Sequence, residues 1–204
     1  MRRSVPVLLF ILVALAACQG GRAYRFRAGD VVFQSISNQQ SEAIVLATGH
    51  EFSHCGIVFE QGGDFVVYEA VNPVKITPLQ EWLDRGTDGK FAVRRIKNDD
   101  LMLSPDVMDR MTRAAGQHLG KSYDFNFMWS DDAMYCSEFV WKVYREAVGI
   151  SLAELRPLKS YNLDHPTVAA KLQERYGDAI PYEELMVSPA DLFTSDKLVT
   201  IYEN

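Results

Sequence analysis

Cys136 stands in the run Tyr135-Cys136-Ser137-Glu138-Phe139-Val140, at the head of a segment whose apolar residues Phe139, Val140, Val143, Tyr144, Ala147 and Val148 recur at helical spacing as far as Gly149. A cysteine in the first turn of a helix lies among N–H groups that have no partner within the helix and at the positive end of its dipole. Both favour the thiolate. Cys136 also precedes Phe139 and Val140 by three and four residues, so it shares their core-facing side. This is a setting for a nucleophile, although the usual role of an unpaired cysteine is to pack.

A thiolate nucleophile works with a base, most often a histidine. The chain has four: His50, His54, His118 and His165. His165 precedes Pro166 in an irregular stretch and reads as a surface residue. His118 follows Met111 by seven residues on one helical stripe and reads as a packing residue. His54 opens a strand-like run, Ser53-His54-Cys55-Gly56-Ile57-Val58-Phe59, and a second such run, Phe65 to Val71, follows after Gln61-Gly62-Gly63-Asp64. A turn at Gln61-Gly62 puts Glu69 opposite His54, and a turn at Gly62-Gly63 puts it diagonal on the same face. Either register brings the two Cβ atoms within roughly 5–8 Å, where a carboxylate can hold the imidazole in one tautomer and stabilise its cation. A three-residue turn would separate them. Alternation along the strand turns Cys55 to the face opposite His54. If His54 meets Cys136, Cys55 is therefore expected to face away, and no Cys55–Cys136 disulfide is expected.

The same stretch spells a rival motif. His50-Glu51-Phe52-Ser53-His54 is an H-E-x-x-H sequence, the signature of zinc metallopeptidases. That motif works only when both histidines share one face of a helix. Gly49 ends the preceding helix and a strand begins at once after His54, which leaves no helix to carry the pair. The zinc reading stays as an alternative, and the preferred reading needs no metal or cofactor.

These residues need a scaffold. Asp30–Phe33, Cys55–Glu60, Phe65–Val71, Phe91–Lys97 and Lys197–Tyr202 read as strands. Ser41–Thr48, the segment after Ser104-Pro105-Asp106, and Cys136–Val148 read as helices. Residues 151–185 give no clear pattern. Strands and helices mix without βαβ regularity, which predicts an α+β fold. With 204 residues, 48% hydrophobic and 24% charged, the chain is suited to one ordinary globular domain.

The N-terminus is different. Arg2 and Arg3 precede an apolar run, Val5 to Ala17, that ends Leu15-Ala16-Ala17-Cys18. This order resembles a bacterial lipoprotein leader, in which cleavage exposes a cysteine that carries diacylglycerol. The expected organisation is a signal peptide at 1–17, lipidated Cys18 with a tether at 18–28, and a catalytic domain at 29–204. Gln19, in place of Asp, favours the outer membrane, facing the periplasm. Removing Arg2 and Arg3 takes the net charge from −6 to −8. Such a protein repels phosphate backbones, so nucleic acid is not an expected partner, whereas the membrane, through the Cys18 lipid, is.

Taken in order, Gly29-Asp30-Val31-Val32-Phe33, Ser53-His54-Cys55-Gly56-Ile57-Val58, Tyr68-Glu69-Ala70, Tyr123-Asp124-Phe125, Tyr135-Cys136-Ser137-Glu138 and Ser188-Pro189-Ala190-Asp191-Leu192 resemble the landmarks of the YiiX-like permuted papain-like amidases, within the NlpC-type cysteine peptidase superfamily. The resemblance spans residues 29 to about 200. Histidine before cysteine reverses the papain order and marks the permuted branch. The resemblance implies a small antiparallel sheet or barrel packed against helices, with Cys136 as nucleophile, His54 as base, Glu69 as its orienter, and Tyr135 assisting the Cys136 N–H at an oxyanion site. It implies a small acyl-amide or peptide substrate, with peptidoglycan peptides a candidate from the envelope location. Lipid acylhydrolase or acyltransferase chemistry on the same fold, and a ligand-binding lipoprotein without catalysis, are the alternatives. Nothing in the sequence indicates an oligomeric state.

Overall fold

The computed structural model describes residues 24–204, so the leader and Cys18 lie outside the described residues. The fold is α+β. Its centre is a hairpin of β2 (His54–Gln61) and β3 (Asp64–Glu69), closed by Gly62 and Gly63 at φ +63° and +92°. Two successive positive φ values are what a tight hairpin turn with the twist of its strands demands, and glycine meets them without strain. The turn sets the register, Gln61 opposite Asp64 and Ile57 opposite Tyr68, which is the second of the two registers considered above.

Around this hairpin, β1 (Val31–Gln34) pairs with β2, with Gln34 opposite His54, and on its other side with β5 (Phe91–Ile96). β4 (Lys75–Pro78) pairs with β3, and β6 (Leu198–Glu203) pairs with β5. The result is one six-stranded antiparallel sheet in the order β6-β5-β1-β2-β3-β4. Helices α1 (Gln39–Thr48) and α2 (Leu79–Asp84) sit in the connections, α1 capped by the Asn38 side chain and stopped by Gly49 in the left-handed region.

The sheet is buried on both faces. On one, Val31, Phe33, Cys55, Ile57, Phe59 and Tyr68 meet α3 (Pro105–Gln117) and α4 (Cys136–Val148). The α4 stripe foreseen from spacing, Phe139, Val140, Val143 and Tyr144, is fully buried. Each such side chain contributes on the order of 1.5–3 kcal/mol of burial. On the other face Val32, Val58, Val67, Phe91 and Val93 surround Trp82 of α2. Residues 24–28, expected as tether, begin on this face: the Tyr24 ring stacks on Tyr202 at 4.1 Å and the Arg27 N–H donates to Asp30 at 2.8 Å.

Several elements were not foreseen, among them β4, α2 and a helix within residues 151–185. β4 and α2 lie between the expected strands Phe65–Val71 and Phe91–Lys97. Residues 151–185 contain α5 (Pro166–Tyr176), which packs on α1 and is capped by the Nδ1 of His165 accepting from the Thr167 N–H. His165, read as a surface residue, is thus a helix cap.

Gly56 is the tightest point of the hairpin. A Cβ there would lie 2.5 Å from Val67 Cγ1 and 2.9 Å from the Tyr68 carbonyl oxygen. Gly56→Ala is expected to cost about 1–3 kcal/mol in urea denaturation, because the clash is with backbone and a packed neighbour. Gly116→Ala, on α3 with open space around it, is expected to be neutral or to stabilise by up to about 1 kcal/mol through helix propensity.

Candidate active site

Cys136 is the first residue of α4. Its predecessor Tyr135 is extended, at φ −102° and ψ 164°, and the Glu138 carboxylate folds back to accept from the Tyr135 N–H at 3.3 Å. Glu138 is itself buried and paired with Lys142 at 2.8 Å. This holds the helix start rigid while leaving the Cys136 N–H in the first turn. Only 2% of Cys136 is exposed, and its Sγ lies 4.0 Å from the Ser53 carbonyl, level with the first residue of β2.

The His54 side chain lies beside the Cys136 sulfur and interacts with it. Its Nε2 lies 2.6 Å from Glu69 Oε2, so the Nδ1 side of the ring is the one left for sulfur. Glu69 is fully buried, and its second oxygen accepts from the Thr77 hydroxyl at 2.6 Å and from the Arg85 guanidinium. Cys136, His54 and Glu69 are therefore brought together, with Glu69 diagonal to His54 as the Gly62-Gly63 turn requires.

The charges explain one another. Burial by itself would lower the His54 pKa, but the bonds to Cys136 and Glu69 outweigh it and raise it to about 9. Burial would raise Glu69, yet His54, Thr77 and Arg85 hold it down to about 2. The Cys136 thiol is driven well below its ordinary value, first by a hydrogen bond from the Cys55 side chain and then, against the cost of burial, by His54. These directions favour a thiolate at Cys136, an imidazolium at His54 and a carboxylate at Glu69.

Cys55 corrects the expectation that it faces away. Alternation does put His54 and Cys55 on opposite faces of β2, but α4 covers the Cys55 face. Cys136 sits beyond the strand end, where side chains from both faces reach it. The two cysteines touch, and neither is in a disulfide.

Tyr135 lines the site, but its hydroxyl accepts from the Val187 N–H at 3.3 Å. The hydroxyl that reaches Cys136 is instead that of Tyr123, which also accepts from Gln40 Nε2 at 3.1 Å. Tyr123 opens a landmark motif, the one sign of it in the sequence. Thr77, Arg85 and Gln40 carried no sign. The landmark Ser188–Leu192 is a helix cap: the Ser188 N–H and hydroxyl both donate to Asp191.

The zinc motif does not assemble. His50 lies beyond the end of α1 and His54 on β2; the His50 ring packs 4.6 Å from Phe193 and its Nδ1 accepts from the Phe52 N–H. Among the described residues no cluster of three or more His, Cys, Asp or Glu has the geometry to hold a metal ion. His118 packs edge-on against Phe139, and burial followed by the Lys121 charge lowers its pKa to about 4.

Cys136 opens into a cleft between α1, α5 and the segment before α6 (Pro189–Phe193). Its walls are almost wholly apolar, including Ile44, Phe127, Leu163, Val168, Leu172 and Met186, with Lys171 and Arg175 also lining it. The space between the walls, open mouth included, is about 740 Å³.

The rate of Cys136 alkylation by iodoacetamide against pH checks the electrostatics. Its inflection is expected well below the value of about 8.5 for a free thiol. In His54→Ala the cation is lost and the inflection moves up by at least about one unit. Glu69→Gln and Cys55→Ala are expected to move it in the same direction, and His118→Ala to leave it in place. A profile that ignores His54 and follows His118 would refute the assignment.

The profile of the permuted papain-like amidase enzyme family, YaeF/YiiX, C92, matches residues 25–202. The chain is 43% identical over 195 residues to the uncharacterized protein YiiX of Escherichia coli (strain K12), covering 96% of this chain and 93% of that protein. It also resembles the crystal structure of the metalloprotein yiiX from Escherichia coli O157:H7, with a TM-score of 0.83, 44% identity, and coverage of 87% of this chain and 97% of that one. Match and likeness both extend over nearly all of the described residues, and the chain belongs to the permuted papain-like amidase family, YaeF/YiiX, C92.

Proposed function

We propose that the protein is an envelope-anchored cysteine hydrolase that cleaves small acyl-amide or peptide substrates, with Cys136 as nucleophile, His54 as acid and base, and Glu69 as orienter. Family membership supports cysteine-hydrolase chemistry in general. The observation that carries the residue assignment is the placement of His54 beside Cys136, bonded to a buried, doubly supported Glu69.

The steps follow from the protonation states. The Cys136 thiolate attacks the carbonyl carbon, and the electron pair of the C=O moves to oxygen. The Cys136 N–H, at the helix start, and the Tyr123 hydroxyl are the donors suited to that oxyanion. The His54 imidazolium gives its proton to the leaving nitrogen as the C–N bond breaks, leaving a thioester and an amine. Neutral His54 then takes a proton from water, whose oxygen attacks the thioester, and the acid and the thiolate–imidazolium pair are released. Glu69 keeps the ring in place and offsets its charge in both half-reactions.

One observation favours a second reading of the substrate. The cleft beside Cys136 is apolar, which suits a fatty acyl group better than a charged stem peptide. An acylhydrolase acting on lipid-like amides or esters would use the same residues. The Escherichia coli O157:H7 relative is described as a metalloprotein. Here the donor set does not fit a metal: His54 and Glu69 are committed to each other, and His50 packs among aromatic rings.

Cys136→Ala and His54→Ala are each expected to lower kcat/KM by at least about 10³-fold on any amide that is turned over. Iodoacetamide is expected to abolish activity and a chelator to leave it. The reverse would restore the zinc reading. Across a series of N-acyl amides, Ala47→Phe, which intrudes on the cleft, is expected to penalise long acyl chains about tenfold more than short ones; an equal penalty on both would remove the acyl-pocket reading. Cys18→Ala is expected to release the protein from the membrane fraction, with lipid mass absent from the mature N-terminus.

A further inference from the structure

Cys55 is the one nucleophilic group at the site that the hydrolytic steps do not use. It is fully buried on β2 in the same cluster as Cys136, whose Sγ lies 4.0 Å from the carbonyl of Ser53, two residues before Cys55, and the two side chains interact. Around it the core is apolar, including Val31, Ile57, Met134 and Phe139. Cys136 lines the cleft, whereas Cys55 does not. A small oxidant entering by the cleft therefore meets Cys136 first, and any oxidised form of Cys136 has a second thiol against it.

We propose that Cys55 and Cys136 are a peroxide-sensitive modification site, in which Cys55 captures oxidised Cys136 as a disulfide and so spares the nucleophile from irreversible oxidation. The inference rests on Cys136 being the reactive thiolate proposed above. The oxidant is hydrogen peroxide. The Cys136 thiolate attacks one peroxide oxygen and the O–O bond breaks. The departing hydroxide takes the His54 proton, which gives Cys136 sulfenic acid and water. The Cys55 sulfur then attacks the Cys136 sulfur as the S–O bond breaks. The Cys55 thiol proton leaves with the hydroxide as a second water, and the disulfide remains. Each sulfur loses one electron, and the two peroxide oxygens gain those two. Closure brings the sulfurs to about 2.05 Å.

The division of labour follows from the pKa directions. Cys136 is held as thiolate and reacts first. Burial raises Cys55 well above its ordinary value, so it remains a thiol and is not itself a target for the oxidant. Hydrolysis stops while the bond persists, because the nucleophile is tied up, and a dithiol reductant restores it.

The test is differential labelling and mass spectrometry of the purified full-length protein. Reduced protein is first labelled with iodoacetamide, and Cys136 is expected to react. Limited hydrogen peroxide should then block that labelling and yield a linked Cys55–Cys136 peptide in a non-reducing digest. Dithiothreitol should restore labelling. In Cys55→Ser and Cys55→Ala the same peroxide dose should drive Cys136 to sulfinic acid, with recovery at least about fivefold lower than in the wild type. Labelled Cys136 with no linked peptide after peroxide overturns this inference alone, and so does recovery that Cys55 substitution does not change. An unlabelled Cys136 in the reduced protein overturns the nucleophile assignment and this inference with it. The linked peptide is read in the wild type, so the test does not depend on either variant folding.

Discussion

A row of buried charges is the constraint from which the rest of this structure follows. Cys136, His54 and Glu69, whose pKa shifts favour thiolate, imidazolium and carboxylate, are buried, and there an unmatched charge costs several kcal/mol. Glu69 is fully buried and is tolerated because His54, Thr77 and Arg85 all bond to it. Removing any one member leaves the next without its partner. The row therefore has to be built as a unit, from β2, β3, β4, α2 and α4.

Much of the architecture reads as a means to that end. The Gly62-Gly63 turn sets the register that brings Glu69 diagonal to His54. Gly56, between them on the same face, has no side chain, so the strands approach closely enough for a 2.6 Å bond. β4 exists as a strand beside β3, and its Thr77 reaches Glu69. α2 closes over the same face with Trp82 as its buried anchor and puts Arg85 at its end. The sheet has a division of roles: one face packs α3 and α4, and the other carries the polar support of His54. The strand end at Ser53 and His54 is where the two faces meet, and Cys136 is placed there.

This placement explains the behaviour of the two cysteines. Period-two alternation predicts that neighbours on a strand diverge, and in the strand interior they do. At a strand end a group beyond the last pair is open to side chains from both faces. Cys136 thus receives His54 from one side and Cys55 from the other. A rule that holds along a strand gave the right faces but the wrong distance, because it says nothing about what lies past the end.

The sequence by itself determined the local pieces and their chemistry: a cysteine at the first residue of α4, a histidine at the start of β2, a hairpin whose glycines allow one of two registers, and an apolar helical stripe over Phe139–Val148. Those follow from short-range periodicity, from turn residues and from helix-end electrostatics, all encoded within a few positions. The order of the landmark motifs added the permuted fold. Only the tertiary structure decided that α4 lies on the Cys55 face, that Tyr123 rather than Tyr135 brings its hydroxyl to the sulfur, and that Thr77, Arg85 and Gln40 belong to the site. Each of these depends on contacts between residues far apart in the chain, such as Tyr123 with Gln40 or Arg85 with Glu69. Such contacts are set by how whole faces pack, and a residue type at one position carries no record of which distant face it will meet.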